Sequence, residues 1–112
     1  MQCSIKIYGG EVSGSGENEA ECVDNFFAAL IEWLEPYTEV DYSNCTNSEE
    51  RGDEEEIAED MKQLIRRLER ARHLIDTFDQ FEKVVIPLIR KSFSAYEVTW
   101  ETPSSINTFP KY

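Results

Sequence analysis

Hydrophobic and polar positions alternate at the start of the chain. Over residues 2–8, Cys3, Ile5 and Ile7 fall on one side and Ser4, Lys6 and Tyr8 on the other, the period of a half-buried strand. Gly9-Gly10 breaks or bulges it, and Val12 is placed to extend it. Ser13-Gly14-Ser15-Gly16 then reads as a flexible connector. From residue 17 to 35 the period lengthens. Val23, Phe26, Phe27, Leu30 and Leu34 recur at three- and four-residue spacing, flanked by Ile31 and Trp33, with Asp24, Ala28, Glu32 and Glu35 opposite. That pattern predicts an amphipathic helix. Glu17, Glu19 and Glu21 suit the positive end of its dipole, and Pro36 stops it.

Residues 38–45 alternate again and predict a second strand, with Val40 and Tyr42 inward and Glu39, Asp41 and Ser43 outward. Residues 44–52 are polar and read as a loop. Asp53 is placed to cap a second helix, with Glu56 as its capping-box partner. Ile57, Met61, Leu64, Leu68, Ala71, Ile75, Phe78, Val85 and Ile89 then keep a four-three spacing that only Glu82 interrupts. The spacing suits a coiled-coil seam, and so a homodimer through residues 57–89, as well as a bundle face. Unbroken over residues 53–86, the helix would be about 50 Å long at ~1.5 Å per residue. A compact domain of this size has a radius of gyration near ~13 Å. Asp76-Thr77 offers a break, either residue capping a further helix with Phe78, Phe81, Val85 and Ile89 inside, which Pro87 kinks or ends. Two helices are expected here, with one continuous dimerising helix as the competitor.

A third strand is predicted over residues 95–102, with Tyr96, Val98 and Trp100 on one face and Glu97, Thr99 and Glu101 on the other. Residues 103–112 hold two prolines and no period, and read as an irregular tail. The expectation is a single α+β domain over residues 1–112 in the order β-α-β-α-α-β. Its three-stranded sheet would have one face covered by two or three helices, a two-layer arrangement. The open face would carry Lys6, Glu39, Asp41, Glu97 and Glu101, and the sheet edges would be available to a partner strand.

Composition adds charge to this picture. With 112 residues and 40% hydrophobic content the chain sustains one core. Its formal net charge is −12. A field of that sign repels a nucleic-acid duplex and an anionic membrane surface, and attracts cations or a basic protein surface. The charge is polarised: residues 1–60 hold 17 acidic and 2 basic side chains, residues 61–112 hold 6 and 9. Cys3, Cys22 and Cys45 are an odd count without a C-x-x-C pair. No charged segment leading into an apolar run precedes Gly9, and no apolar run reaches membrane-spanning length. Together these imply a reducing cytoplasm, where the Asn44-Cys45-Thr46 sequon has no use.

The motifs that carry chemistry are weak. Gly9-x4-Gly14 has the first spacing of a phosphate loop, but Ser15 and Gly16 stand where lysine and a hydroxyl residue would bind phosphate and magnesium. Glu17, Glu19 and Glu21 would repel a phosphate at the helix start. His73, the one histidine, lies on a polar helix side beside Arg70 and Arg72, and no local motif joins it to a cysteine nucleophile. The three cysteines and the histidine lack zinc-ligand spacing, and residues 44–55 do not match a calcium loop. The expectation is no enzyme, no cofactor and no metal.

What remains is the acidic cluster Glu49, Glu50, Asp53, Glu54, Glu55, Glu56, Glu59 and Asp60. A solvated helix start is its plain explanation. The sharper one is a surrogate for nucleic-acid phosphates. Eight carboxylates over about 18 Å of helix make one per ~2 Å, against one per ~1.7 Å of duplex axis. About half of them face any one partner, so Glu39, Asp41, Glu97 and Glu101 would have to extend the patch. In size and charge the chain is similar to phage anti-defence proteins, including anti-CRISPR proteins and DNA mimics, and to small toxin-immunity proteins. That likeness is one of physical profile and assigns no residue. It implies a non-enzymatic inhibitor that blocks a basic, nucleic-acid-binding surface of a partner protein. The alternatives are a toxin-immunity protein and a homo-oligomeric adaptor built on the heptad-like helix.

Overall fold

Two antiparallel hairpins, one from each end of the chain, join side by side into one sheet. A computed structural model describes residues 1–7, 9–40 and 47–111. Strands β1 (Gln2–Ile7) and β2 (Gly10–Ser15) form the first hairpin, and β3 (Val98–Thr102) and β4 (Ser105–Phe109) the second. β1 pairs antiparallel with β3, giving the order β2-β1-β3-β4. Between the hairpins run helices α1 (Glu19–Leu34), α2 (Ser48–Arg72) and α3 (Phe78–Ser92), with a 3-10 turn over Glu35–Thr38. The α+β class stands as expected. The sheet has four strands rather than three, and the order is β-β-α-α-α-β-β.

Both extra strands were hidden by what stands at their inward positions. In β2 the alternation continues from Val12 to Gly14, but the inward residue is a glycine. A Cβ at Gly14 would sit 2.5 Å from the Phe26 Cα, and one at Gly16 would sit 2.6 Å from the Cys22 backbone nitrogen. The glycines therefore permit a close crossing of α1 over the strand; they do not make a loose connector or a phosphate cradle. The turn before β2 holds Gly9 at φ 75°, a conformation that glycine adopts without steric cost. In β4 the inward positions are Asn107 and Phe109, so the apolar signal is halved. Asn107 donates to the carboxylate of Glu82, and Arg90 stacks over the Phe109 ring while donating to the Pro110 carbonyl. α3 thus holds down a segment whose prolines suggest irregular chain. Glu82, which breaks the heptad spacing, reaches β4 at Asn107.

The second strand expected over residues 38–45 is not formed in its described part. Thr38 closes the 3-10 turn, its hydroxyl donating to the Glu35 carbonyl, and Glu39 donates its N–H to the Pro36 carbonyl. Residues 41–45, with Asp41, Tyr42 and Cys45, lie outside the described residues. The loop expected up to Gly52 is helix from Ser48, so Asp53 lies inside α2 rather than capping it. Gly52 costs such a helix about 1 kcal/mol relative to alanine, and Glu49 in the first turn offsets part of it through the dipole.

The predicted break does separate two helices. α2 ends as the Ala71 carbonyl accepts from both Leu74 and Ile75. Thr77 caps α3, its hydroxyl accepting from the Gln80 N–H, and Glu19 of α1 accepts from the Phe78 N–H at 2.7 Å. α3 then runs through Pro87 to Ser92, with Phe81, Val85, Ile86 and Ile89 buried on either side of the proline.

α1 and α3 lie on the inner face of the sheet, and α2 packs on α1, α3 and the 3-10 turn. The predicted stripe of α1 (Val23, Phe26, Phe27, Leu30, Leu34) is wholly buried. Its aromatic rings meet those of α3 and β3. Phe81 stacks on Trp100 at 4.5 Å between centroids, and Phe26 meets both edge-on at 5.2 and 5.3 Å. Such pairs add about 0.5–1.5 kcal/mol each beyond their buried area, which fixes α1, α3 and the sheet as one unit.

Candidate interaction surface

α2 carries a single apolar stripe, buried over most of its length and exposed at Ile57. Ala58, Met61, Leu64, Leu68, Ala71 and, just past the helix, Ile75 are buried. One turn before Met61, Ile57 lies on the same side of the helix and is 54% exposed. The helix is about 37 Å long at ~1.5 Å per residue, in a molecule of 49 × 26 × 19 Å. Every residue from Glu49 to Ile57 whose burial is described is exposed, so among the described residues its N-terminal turns overhang the body. The radius of gyration, 15.0 Å, exceeds the ~13 Å of a compact domain, in keeping with the elongated outline.

The acidic cluster occupies this overhang. Glu49, Asp53, Glu54, Glu55, Glu56, Glu59 and Asp60 are all exposed; nothing is described of the Glu50 side chain beyond its place in the helix. Glu56, Glu59 and Asp60 make no ion pair among the described residues. The basic half of the helix is tied down differently. Arg72 forms a two-pronged bond to Asp24 of α1, Nε to Oδ1 at 2.6 Å and Nη2 to Oδ2 at 3.1 Å. That guanidinium holds the Asp24 carboxyl below the usual carboxylate range. Arg66, Arg67 and Arg70 are exposed.

The remaining predicted carboxylates lie elsewhere. Glu101 is on the outer face of β3 opposite Ser4, and Glu97 is exposed just before that strand. This face is turned away from the helices, so it does not continue the α2 surface. It is also mixed in sign, since Lys6 stands opposite Glu11 and close to Glu97. Glu39 follows the 3-10 turn and borders a cleft with Lys62, Arg66 and Glu69, at the basic part of α2. Asp41 lies outside the described residues. The structure thus gathers the 49–60 cluster onto one projecting helix end, and the described carboxylates Glu39, Glu97 and Glu101 stand apart from it.

A groove of about 510 Å³ runs beside that helix end, lined by Glu56, Ile57, Glu59, Asp60, Met61, Gln63 and Ser92. Ser92, from the end of α3, is the one described lining residue outside α2. Sequence spacing does not reveal it, because a four-three stripe reads the same over covered and uncovered turns.

The described cysteines face each other in the core. Cys3 and Cys22 are free thiols with their sulfurs 3.6 Å apart, and Cys22 also donates to the Gly14 carbonyl at 3.5 Å. Burial, and then the adjacent Cys22 thiol, push the Cys3 thiol far above its usual range. A nucleophile needs the opposite shift. Among the described residues no three His, Cys, Asp or Glu side chains converge on a metal site, and no helix is long and apolar enough to cross a membrane. His73 is exposed in the turn after α2.

No family model, curated protein or solved structure matches the chain. Its functional reading rests on the chemistry of its own surface.

Proposed function

We propose that this protein is a non-enzymatic binding protein that occupies a basic, nucleic-acid-binding surface of a partner protein, in the manner of anti-defence inhibitors such as anti-CRISPR proteins and DNA mimics. The observation that carries this reading is the acidic end of α2. Its carboxylates are exposed and concentrated, and they stand clear of the body where a concave partner can reach them. Among the described residues these turns bury little, so their density of charge is most simply used on a partner. Carboxylates at this density steer a basic surface into contact, and the rigid helix behind them then blocks it. Binding of this kind weakens steeply with salt.

A toxin-immunity protein would use the same surface and mechanism on a different basic partner. The homo-oligomeric adaptor has less support, since α1, α3 and the 3-10 turn already take most of the stripe on α2. A monomer in sedimentation at micromolar concentration is the result expected.

Reversing Glu54, Glu55, Glu59 and Asp60 to lysine tests the proposal. Immobilised native protein is expected to capture nucleic-acid-binding proteins that the folded variant does not. Identical captured sets, with unchanged salt dependence, would overturn it.

A further inference from the structure

The groove beside the acidic helix end has an apolar floor, and that separates a protein partner from a simple cation. We propose that it seats one basic amphipathic helix of the partner, with an apolar side chain against Ile57 and Met61 and lysine or arginine side chains reaching Glu56, Glu59 and Asp60. This deepens the proposed function and rests on it.

Three observations converge. Ile57 continues the stripe that Met61, Leu64 and Leu68 present to the protein's own helices. The uncovered turn is therefore shaped for a further helix rather than for an extended strand. Secondly, the rim is all of one sign among the described residues: Glu56, Glu59 and Asp60 line the groove, and no described basic residue does. Of the basic residues in the last turn of α3, Arg90 is drawn away to Phe109 and Pro110, and Lys91 does not line the groove. Thirdly, Ser92 at the C-terminal end of α3 also lines the groove, so an occupant touches two helices of the protein at once. A cationic side chain entering the groove meets the carboxylates of Glu56, Glu59 and Asp60, while a polyamine or a bare cation leaves Ile57 in water.

The test uses the full chain and two peptide probes of equal charge: a helix-forming leucine–lysine amphipath and an oligolysine, titrated by fluorescence anisotropy at low salt. Covering the exposed half of an isoleucine is worth about a fivefold gain in affinity. The amphipath is expected to bind at least about fivefold more tightly than oligolysine. Ile57→Ser should abolish that preference and leave oligolysine binding and the melting temperature unchanged. Equal affinities for the two probes, or a preference that survives Ile57→Ser, would overturn the groove proposal while the acidic-surface reading stands. Failure of both probes to bind would sink the acidic-surface reading, and the groove with it. A self-associated native chain that Ile57→Ser turns into a monomer would assign the groove to a second copy, and overturn the proposal that way.

Discussion

The two halves of α2 are one helix with one stripe, and they serve different ends. From Ala58 to Arg72 the stripe is buried against α1, α3 and the 3-10 turn, and Arg72 locks the end of the helix to Asp24. From Ser48 to Ile57 every residue whose burial is described is exposed, and six of the ten residues there are acidic. Apolar spacing states what a helix can bury. Whether it buries anything is decided by where the rest of the chain ends beneath it. The comparison teaches that a charged run gains functional weight when it lies on a part of the fold that packing does not require.

The sharpest way to break that comparison is to truncate the stripe on each side. Leu68→Ala, at a fully buried position, should cost about 2–5 kcal/mol in urea unfolding, and Ile57→Ala less than ~0.5 kcal/mol. Similar costs at the two positions would mean that the overhang is packed after all.

A second effect belongs to the packed side alone. The buried Cys3 thiol keeps its proton in the folded protein well above the range where an unfolded thiol loses it. The unfolded state then binds fewer protons, so this contribution is complete below about pH 8.5 and is lost as pH rises above it, by up to ~1.4 kcal/mol per unit. Cys3→Ala should flatten that alkaline slope, read as denaturation midpoint against pH. An unchanged slope would deny the burial.

Smaller again is the Asp24–Arg72 bond, whose partners are partly exposed. Asp24→Asn should cost less than about 1 kcal/mol. Since the Asp24 pKa is lowered on folding, this stabilisation is complete above the ordinary carboxylate value and is lost as pH falls through the folded one. The smallest effect on stability is expected from reversing Glu54, Glu55, Glu59 and Asp60 to lysine. Their dipole contribution is a few tenths of a kcal/mol each at most, so circular dichroism should show a folded chain. A variant that unfolds would make these carboxylates structural.

The sequence made the helices legible where the apolar period was long: the α1 stripe and the Thr77 break can be read from residue spacing alone. β2 and β4 were not legible, for one shared reason. Their inward positions hold Gly14 and Asn107, chosen by the close approach of α1 and by the carboxylate of Glu82 rather than by hydrophobicity. The start of α2 was misplaced because Gly52 and its polar neighbours look like a loop. The helix nonetheless runs through them, carried by the packed turns from Ala58 onward. The acidic cluster was visible as composition. Its separation from Glu39, Glu97 and Glu101 was not, because strand alternation cannot tell which side of the sheet α2 will occupy.

Chemical-shift mapping tests the central claim most directly. Amide resonances of the full chain would be followed while an oligolysine probe is added at low salt, and again at high salt. The account predicts shifts confined to residues 49–61 that fade as salt rises. Shifts centred instead on Glu97 and Glu101, or no shifts at all, would contradict it.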